Sequence, residues 1–245
     1  RGVDVMTGLV QTLAIGQIPG SSTNDTANAG RVGEIITAVT NNTTATVTIT
    51  IATPGVVSWT AHGLGLGSAV VFTTTGALPT GLTAGTTYWV IPVDANNFQV
   101  ATTPANAVSG TSIATSGTQS GVQTGTSNIA LTTATAADIA FISLTAGTWD
   151  VTAMAGFVPA GTTAVTSLIG WSSTTSATLP TAPNTGGEFR TNLVGGVPGN
   201  VTLDYPTGVQ RLNLASPTVV YLSERAGFSV STMVGFGFIR ATRIR

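Results

Sequence analysis

Over most of its length this chain alternates apolar and polar residues one by one, and the alternating residues are largely threonine and valine. A period of two places successive side chains on opposite faces of an extended strand. β-Branched side chains are stiff at χ1 and suit a pleated surface better than a helix. In one stretch Trp149, Val151, Ala153, Ala155 and Phe157 share a face, with Thr148, Asp150, Thr152 and Met154 behind them. In another, Phe228, Val230, Thr232, Val234, Phe236 and Phe238 stand opposite Ser229, Ser231, Met233 and Ile239. In a third, Val47, Ile49 and Ile51 alternate with Thr46, Thr48 and Thr50. Shorter strands are predicted over Val32–Ala38, Asn128–Thr132, Ile139–Leu144, Val209–Leu214 and Thr218–Ser223. No segment sustains helical spacing for three turns, and the nearest approach lies within Val5–Ile15. The expected fold class is therefore all-β: a jelly-roll or β-sandwich main domain with a smaller inserted β domain and an extended N-terminal arm.

Composition narrows the function. Apolar residues make up 42% of the 245, enough for a packed core, while charged residues make up only 7%. An ordinary soluble domain carries about 25% charge, so here neutral groups must cover the surface, chiefly 47 threonines. The eight basic residues are all arginine, and the net charge is −1. No polybasic field exists to draw in nucleic acid or an anionic bilayer, and neither is expected as a partner. With no cysteine, disulfides, thiolate chemistry and cysteine-based zinc sites drop out. No apolar run reaches the roughly 18 residues of a membrane helix. Arg1–Gly20 is mildly apolar, carries Asp4 and does not read as a signal peptide.

Turn and linker residues suggest a division of the chain. Residues 1–30, ending "GQIPGSSTNDTANAG", read as an attachment arm. Residues 31–43 and 125–245 form the main domain, and residues 44–124 an inserted β module plus linker. Within the latter, about 44–104 is the β unit. Pro104–Ser127 is almost wholly small and polar, as in a linker or weak strands with long loops.

Candidate chemistry is sparse. His62, the one histidine, sits in Ala-His-Gly-Leu-Gly-Leu-Gly without an acid nearby in sequence, so a turn is a simpler reading than a catalytic base. Gly63, Gly65 and Gly67 lack the spacing and following helix of a dinucleotide loop, and Val70–Phe72 continues as a strand. The acids are scattered: Asp4, Asp25, Glu34, Asp94, Asp138, Asp150, Glu188, Asp204 and Glu224. A glycosidase needs two carboxylates at one cleft, and Asp150 with Glu188 is one spatial pair the sequence allows. "DANN" at 94–97 reads as a hairpin turn rather than a calcium loop. Glu224-Arg225 reads as a solvated turn. Arg240, Arg243 and Arg245 either meet an acidic partner or nucleic-acid backbone, or guard a terminal edge strand and bridge to a neighbouring subunit, the simpler reading. Asn-x-Thr patterns at Asn24, Asn41, Asn42 and Asn200 are common by chance in so threonine-rich a chain.

Two stretches carry a resemblance. Ala61-His62-Gly63-Leu64, Gly67–Phe72, Gly76–Leu82, Tyr88–Ile91 and Asn96–Val100 resemble a small β module of tailed-phage virion proteins. "GRVGEIITA" (30–38), Leu131–Phe157, Ser172–Pro180 and Tyr221–Arg245 are similar to phage structural and fibre-head domains, many of which resemble trimeric jelly rolls of the tumour-necrosis-factor type. The ending Gly237-Phe238-Ile239-Arg240-Ala241-Thr242-Arg243 departs from the usual pattern of that group. Together these stretches cover about two thirds of the chain. The resemblance implies a non-enzymatic virion protein, a fibre or a capsid decoration or spike, that forms a homotrimer and meets other virion proteins through the arm. No cofactor, metal or catalytic residue is expected. The alternative is a receptor-binding module for a host glycan, using loops Ser173–Arg190 or Gly195–Tyr205, with Trp171 and Tyr205 as stacking residues, although core packing is the simpler use of each. A depolymerase would need a carboxylate pair.

Overall fold

A computed structural model describes residues 29–181, 187–193 and 201–245. The arm through residue 28, and with it Val5–Ile15, lies outside the described residues, as do parts of both candidate glycan loops.

In chain order the strands begin with β1 (Ile35–Thr40). Then come β2 (Thr43–Ile49), β3 (Val57–Ser58), β4 (Ala69–Thr74), β5 (Thr87–Pro92) and β6 (Asn97–Ala101). A short helix α1 (Pro104–Val108) precedes β7 (Gln123–Ser127). The rest is β8 (Ile129–Leu131), β9 (Ala137–Leu144), β10 (Gly147–Pro159), β11 (Ala164–Ser173) and β12 (Glu188–Asn192). It closes with β13 (Leu203–Pro206), β14 (Gln210–Leu214), β15 (Thr218–Ser229) and β16 (Met233–Arg243).

Two sheets face each other. The first runs β1-β16-β10-β13, with β8 also on β16 and β14 also on β10. β1 and β8 are two halves of one edge: Thr40 lies opposite Gly237 and Ile129 opposite Gly235. The other edge is likewise split, with β13 beside Met154–Phe157 and β14 beside Gly147–Val151. Thr207 fills that break, its N–H donating to Ala153 O at 2.8 Å and its Oγ1 accepting from Ala153 N at 3.0 Å. The second sheet runs β12-β11-β15-β9. The chain crosses between sheets at every step from β8 onward except the β11–β12 hairpin and the continuation of β13 into β14. That eight-position pattern is a jelly roll.

The core follows the alternation. Trp149, Val151, Ala153, Ala155 and Phe157 are buried on the inner face, against Phe141, Leu168, Val220, Leu222 and Ile239. Residues 43–127 leave the split edge and return to it as a closed barrel, ordered β2-β3-β6-β5-β4-β7. Its separate core includes Val47, Ile49, Trp59, Phe72, Tyr88 and Phe98. The tract expected as linker or weak strands holds α1, which Thr103 caps at the Asn106 amide, and β7, the strand that closes the barrel.

The barrel is fastened to the sandwich by polar contacts at β9. Phe141 N–H donates to Gly67 O at 3.1 Å. Thr40 Oγ1 donates to Ile139 O at 2.7 Å and accepts from Ala69 N–H at 3.0 Å. Trp89 meets Phe141 edge-on at 5.3 Å between ring centroids. Gly67 has φ +93°, and a Cβ there would overlap the Phe141 carbonyl. Only glycine allows so close an approach.

The 228–239 segment is not one strand. β15 ends at Ser229 and β16 starts at Met233, with Val230 at φ +76° in the turn between them. Alternation continues across the turn, which hides it in the sequence. β16 is central rather than terminal, flanked by β1 and β10. The expected edge-guarding role of its arginines therefore fails.

Candidate functional site

His62 is buried against Phe98, 5.1 Å between centroids. Its Nδ1 accepts from Leu64 N–H at 2.9 Å, which leaves the proton on Nε2 to donate to Asp94 O at 3.0 Å. Both nitrogens thus serve the turns that flank β3 and β6. Asp94 caps its own hairpin, and the Asn97 amide, followed by the Asn96 N–H, holds its carboxyl below the usual range.

The structure does not bring Asp150 and Glu188 together. Asp150 binds Arg211 across β10–β14 in a bidentate pair at 2.7 and 2.8 Å, and that hydrogen bonding lowers its pKa. Glu188 pairs with Arg190 on the edge of the other sheet. Among the described residues no three His, Asp or Glu side chains converge as a metal site.

Arg243 is buried. Its Nε donates to Glu34 Oε2 at 2.9 Å, its Nη1 to Ala146 O at 2.9 Å, and its guanidinium lies 4.2 Å from the Trp149 ring centroid. This group ties β16 to the segment before β1 and to the β9–β10 turn, so Arg243 is not available to an outside partner.

Glu224 is the largest departure from expectation. It is no solvated turn residue but the middle of β15, fully buried between the sheets. Oε1 accepts from Gly156 N–H at 3.1 Å, and Oε2 has no partner among the described residues. Gly235 provides the room, since a Cβ there would collide with Oε2. Burial pushes this carboxyl well above the ordinary carboxylate range, the Gly156 bond opposes the shift, and Asp204 adds to it.

The two candidate stacking residues differ. Trp171 has no exposed surface. Its neighbours on β11, Leu168 and Gly170, face the sandwich interior, so Trp171 lies on the outer side, beneath its own following segment. Nε1 donates to Thr178 O at 2.9 Å. Asp138 clamps that segment, accepting from Ser176 Oγ, from Ala177 N–H and from Ser223 Oγ. An indole so covered cannot stack on an external sugar, so the glycan-stacking use of Trp171 is corrected and packing is its use. Tyr205 is half-buried at the β13 edge, with one face stacked on Phe189 at 4.8 Å and 18°. An open groove of about 330 Å³ lies on the barrel between β2 and Gln119–Gln123. Its lining is uncharged.

The outer face of the first sheet stands apart. Outward positions on the central strand β16 are Val234, Phe236 and Phe238, all partly exposed. Met154 and Val158 on β10 and Val39 on β1 extend the same surface. An antiparallel sheet that faces water usually presents polar residues there. Periodicity shows this face in the sequence, but only the pairing shows that it is continuous.

Compared with known proteins, the chain matches no family model and no curated protein.

Proposed function

We propose that this chain is a structural component of a phage virion, a fibre or a capsid decoration or spike, that self-assembles through uncharged β surfaces and does no chemistry. The observation that carries the assembly reading is the apolar outer face of the first sheet. Contiguous apolar surface of this kind marks association sites, and the apolar middle of this face, Val234, Phe236, Phe238 and Met154, meets a partner without the desolvation cost of buried ions, several kcal/mol each. The virion setting draws on the resemblance of the barrel and jelly-roll motifs to phage structural domains. The titratable groups fit the reading, because His62, Asp138, Glu34 and Arg243 each bind the fold itself.

The test is in two parts. The purified chain is expected to sediment as an oligomer at micromolar concentration. An antibody raised against it is expected to decorate intact particles. A monomer together with unlabelled particles refutes the proposal. A second reading, adhesion to a host glycan, draws on the exposed side of the Phe189–Tyr205 stack. It predicts a glycan-array signal that Tyr205→Ala abolishes.

A further inference from the structure

The barrel is nearly free of charge and rich in hydroxyls. Between Thr43 and Ser127 there is no arginine or lysine, and the one acid, Asp94, is held within its own hairpin by Asn96 and Asn97. The outward positions of β2 are Thr44, Thr46 and Thr48, all exposed. Thr44 lies opposite Thr126 and Thr46 opposite Thr124 on β7, and Thr124 lies opposite Thr73 on β4. At ~3.3 Å per residue and ~4.8 Å per strand, these side chains form a field of hydroxyls about 7 Å apart along each strand and about 5 Å apart across them.

The barrel groove opens where this field meets the segment before β7. The pairing of β2 with β7 ends at Val47 and Gln123. Beyond it only a side chain bridges the gap, with Gln119 Nε2 donating to Ile49 O at 2.6 Å. Thr46 and Thr48 stand on one wall, and Gln119, Ser120 and Val122 on the other. The volume of about 330 Å³ falls at the lower end of small-ligand sites, about 300–1,000 Å³.

Gln123, which also lines the groove, is 5% exposed. Its Nε2 donates to Ser120 O at 2.9 Å and to Ala77 O at 3.2 Å. Both partners are carbonyls, which fixes the orientation of the amide and turns Oε1 away from them. Oε1 has no partner among the described residues. A buried acceptor left unpaired is costly, and a donor from outside the chain would relieve it.

The lining selects the class of ligand. An ion would lose its hydration and find no countercharge. A peptide strand would find no free edge, because the barrel is closed. What the groove presents is hydroxyls and amides, which both donate and accept, beside the half-exposed Val122. Sugar hydroxyls have the same double capacity, and the C–H faces of a sugar ring suit the valine and the threonine methyls.

We infer that the groove binds a neutral oligosaccharide, with one sugar seated between β2 and Gln119–Gln123 over the Gln123 amide and the next ones lying along the threonines. The inference is independent of the assembly reading, and it places glycan adhesion on the barrel rather than at the Phe189–Tyr205 stack.

The experiment probes the full chain with an array of neutral oligosaccharides in graded lengths, beside acidic ones bearing uronate, sialate or sulfate. Signal is expected on neutral glycans and is expected to rise with chain length. Thr48→Tyr and Val122→Tyr fill the groove from opposite walls at exposed positions, and tyrosine suits a strand. Each is expected to weaken binding of the best array glycan about tenfold or more in calorimetry, while Tyr205→Ala leaves it unchanged. Thermal melts show which variants are folded, and either blocking variant alone suffices. No signal on neutral glycans, a preference for acidic ones, or binding that a folded blocking variant keeps overturns the inference. Loss of binding with Tyr205→Ala but not with the groove variants returns the glycan to the Phe189–Tyr205 stack. Sedimentation of the same samples reads self-assembly separately, so that reading stands or falls on its own.

Discussion

The buried carboxyl of Glu224 makes a measurable claim about pH. An unfolded chain leaves this group near its ordinary pKa of 4.5, and the folded chain raises it well above that, mainly by desolvation. Between those two pH values the unfolded state has released a proton that the native state keeps. The contribution of Glu224 to stability is therefore greatest at or below pH 4.5 and falls as pH rises, until the native carboxyl itself ionises. Over that window the slope is about 1.4 kcal/mol per pH unit for one proton. Glu224→Gln removes the titration but keeps an oxygen for Gly156 N–H and nearly the same volume. Urea unfolding at a series of pH values upward from 5 should then show wild type losing stability more steeply than the variant, by up to about 1.4 kcal/mol per unit for as long as the native carboxyl keeps its proton. The variant should become the more stable of the two toward neutral pH. Other groups titrate alike in both proteins and cancel in the difference. Equal slopes in the two proteins would mean that Glu224 is solvated or paired, and the account of the sandwich interior would be wrong.

Three further outcomes follow from packing. Arg243→Met strands a buried Glu34 carboxylate and should cost about 3–5 kcal/mol in chemical denaturation, whereas pairing it with Glu34→Leu should recover much of the loss; a cost below about 1 kcal/mol would refute the buried pair. Gly67→Ala forces a Cβ against the Phe141 carbonyl at φ +93°, so the Phe141 amide should exchange hydrogen faster in the variant, and unchanged protection counts against the barrel–sandwich contact. Val230 is 80% exposed at φ +76°, a strained place for a β-branched residue, so Val230→Gly should raise stability by about 1 kcal/mol; a lower melting temperature contradicts that.

The misreadings share one physical origin. Glu224 follows Val220 and Leu222 and precedes Ala226 and Phe228 on the inward phase of β15, so alternation did point it into the core. The adjacent Arg225 and the usual cost of burying an acid argued for a turn instead. What offsets that cost is a proton retained on the carboxyl and the space left by Gly235, 11 residues away in the chain and across the sandwich. Trp171 occupies an outward position, as a sugar-stacking residue would. The Asp138 clamp that folds its own loop over it comes from β9, which reaches β11 only through β15. The turn at Val230 escaped because its residues keep the same polar–apolar beat as the strands it joins.

The amino-acid order alone determined that the chain forms strands and which side of most strands is apolar, because alternation and β-branching act between immediate neighbours. It also determined a nearly uncharged surface. Tertiary structure alone decided which strands pair, that β1 and β8 form one interrupted edge, and that β16 lies at the sheet's centre. It also decided where the few charges meet partners. Pairing joins residues up to some 200 positions apart, as Ile35 with Thr242, and a local period carries no information about which distant strand will fill the neighbouring place.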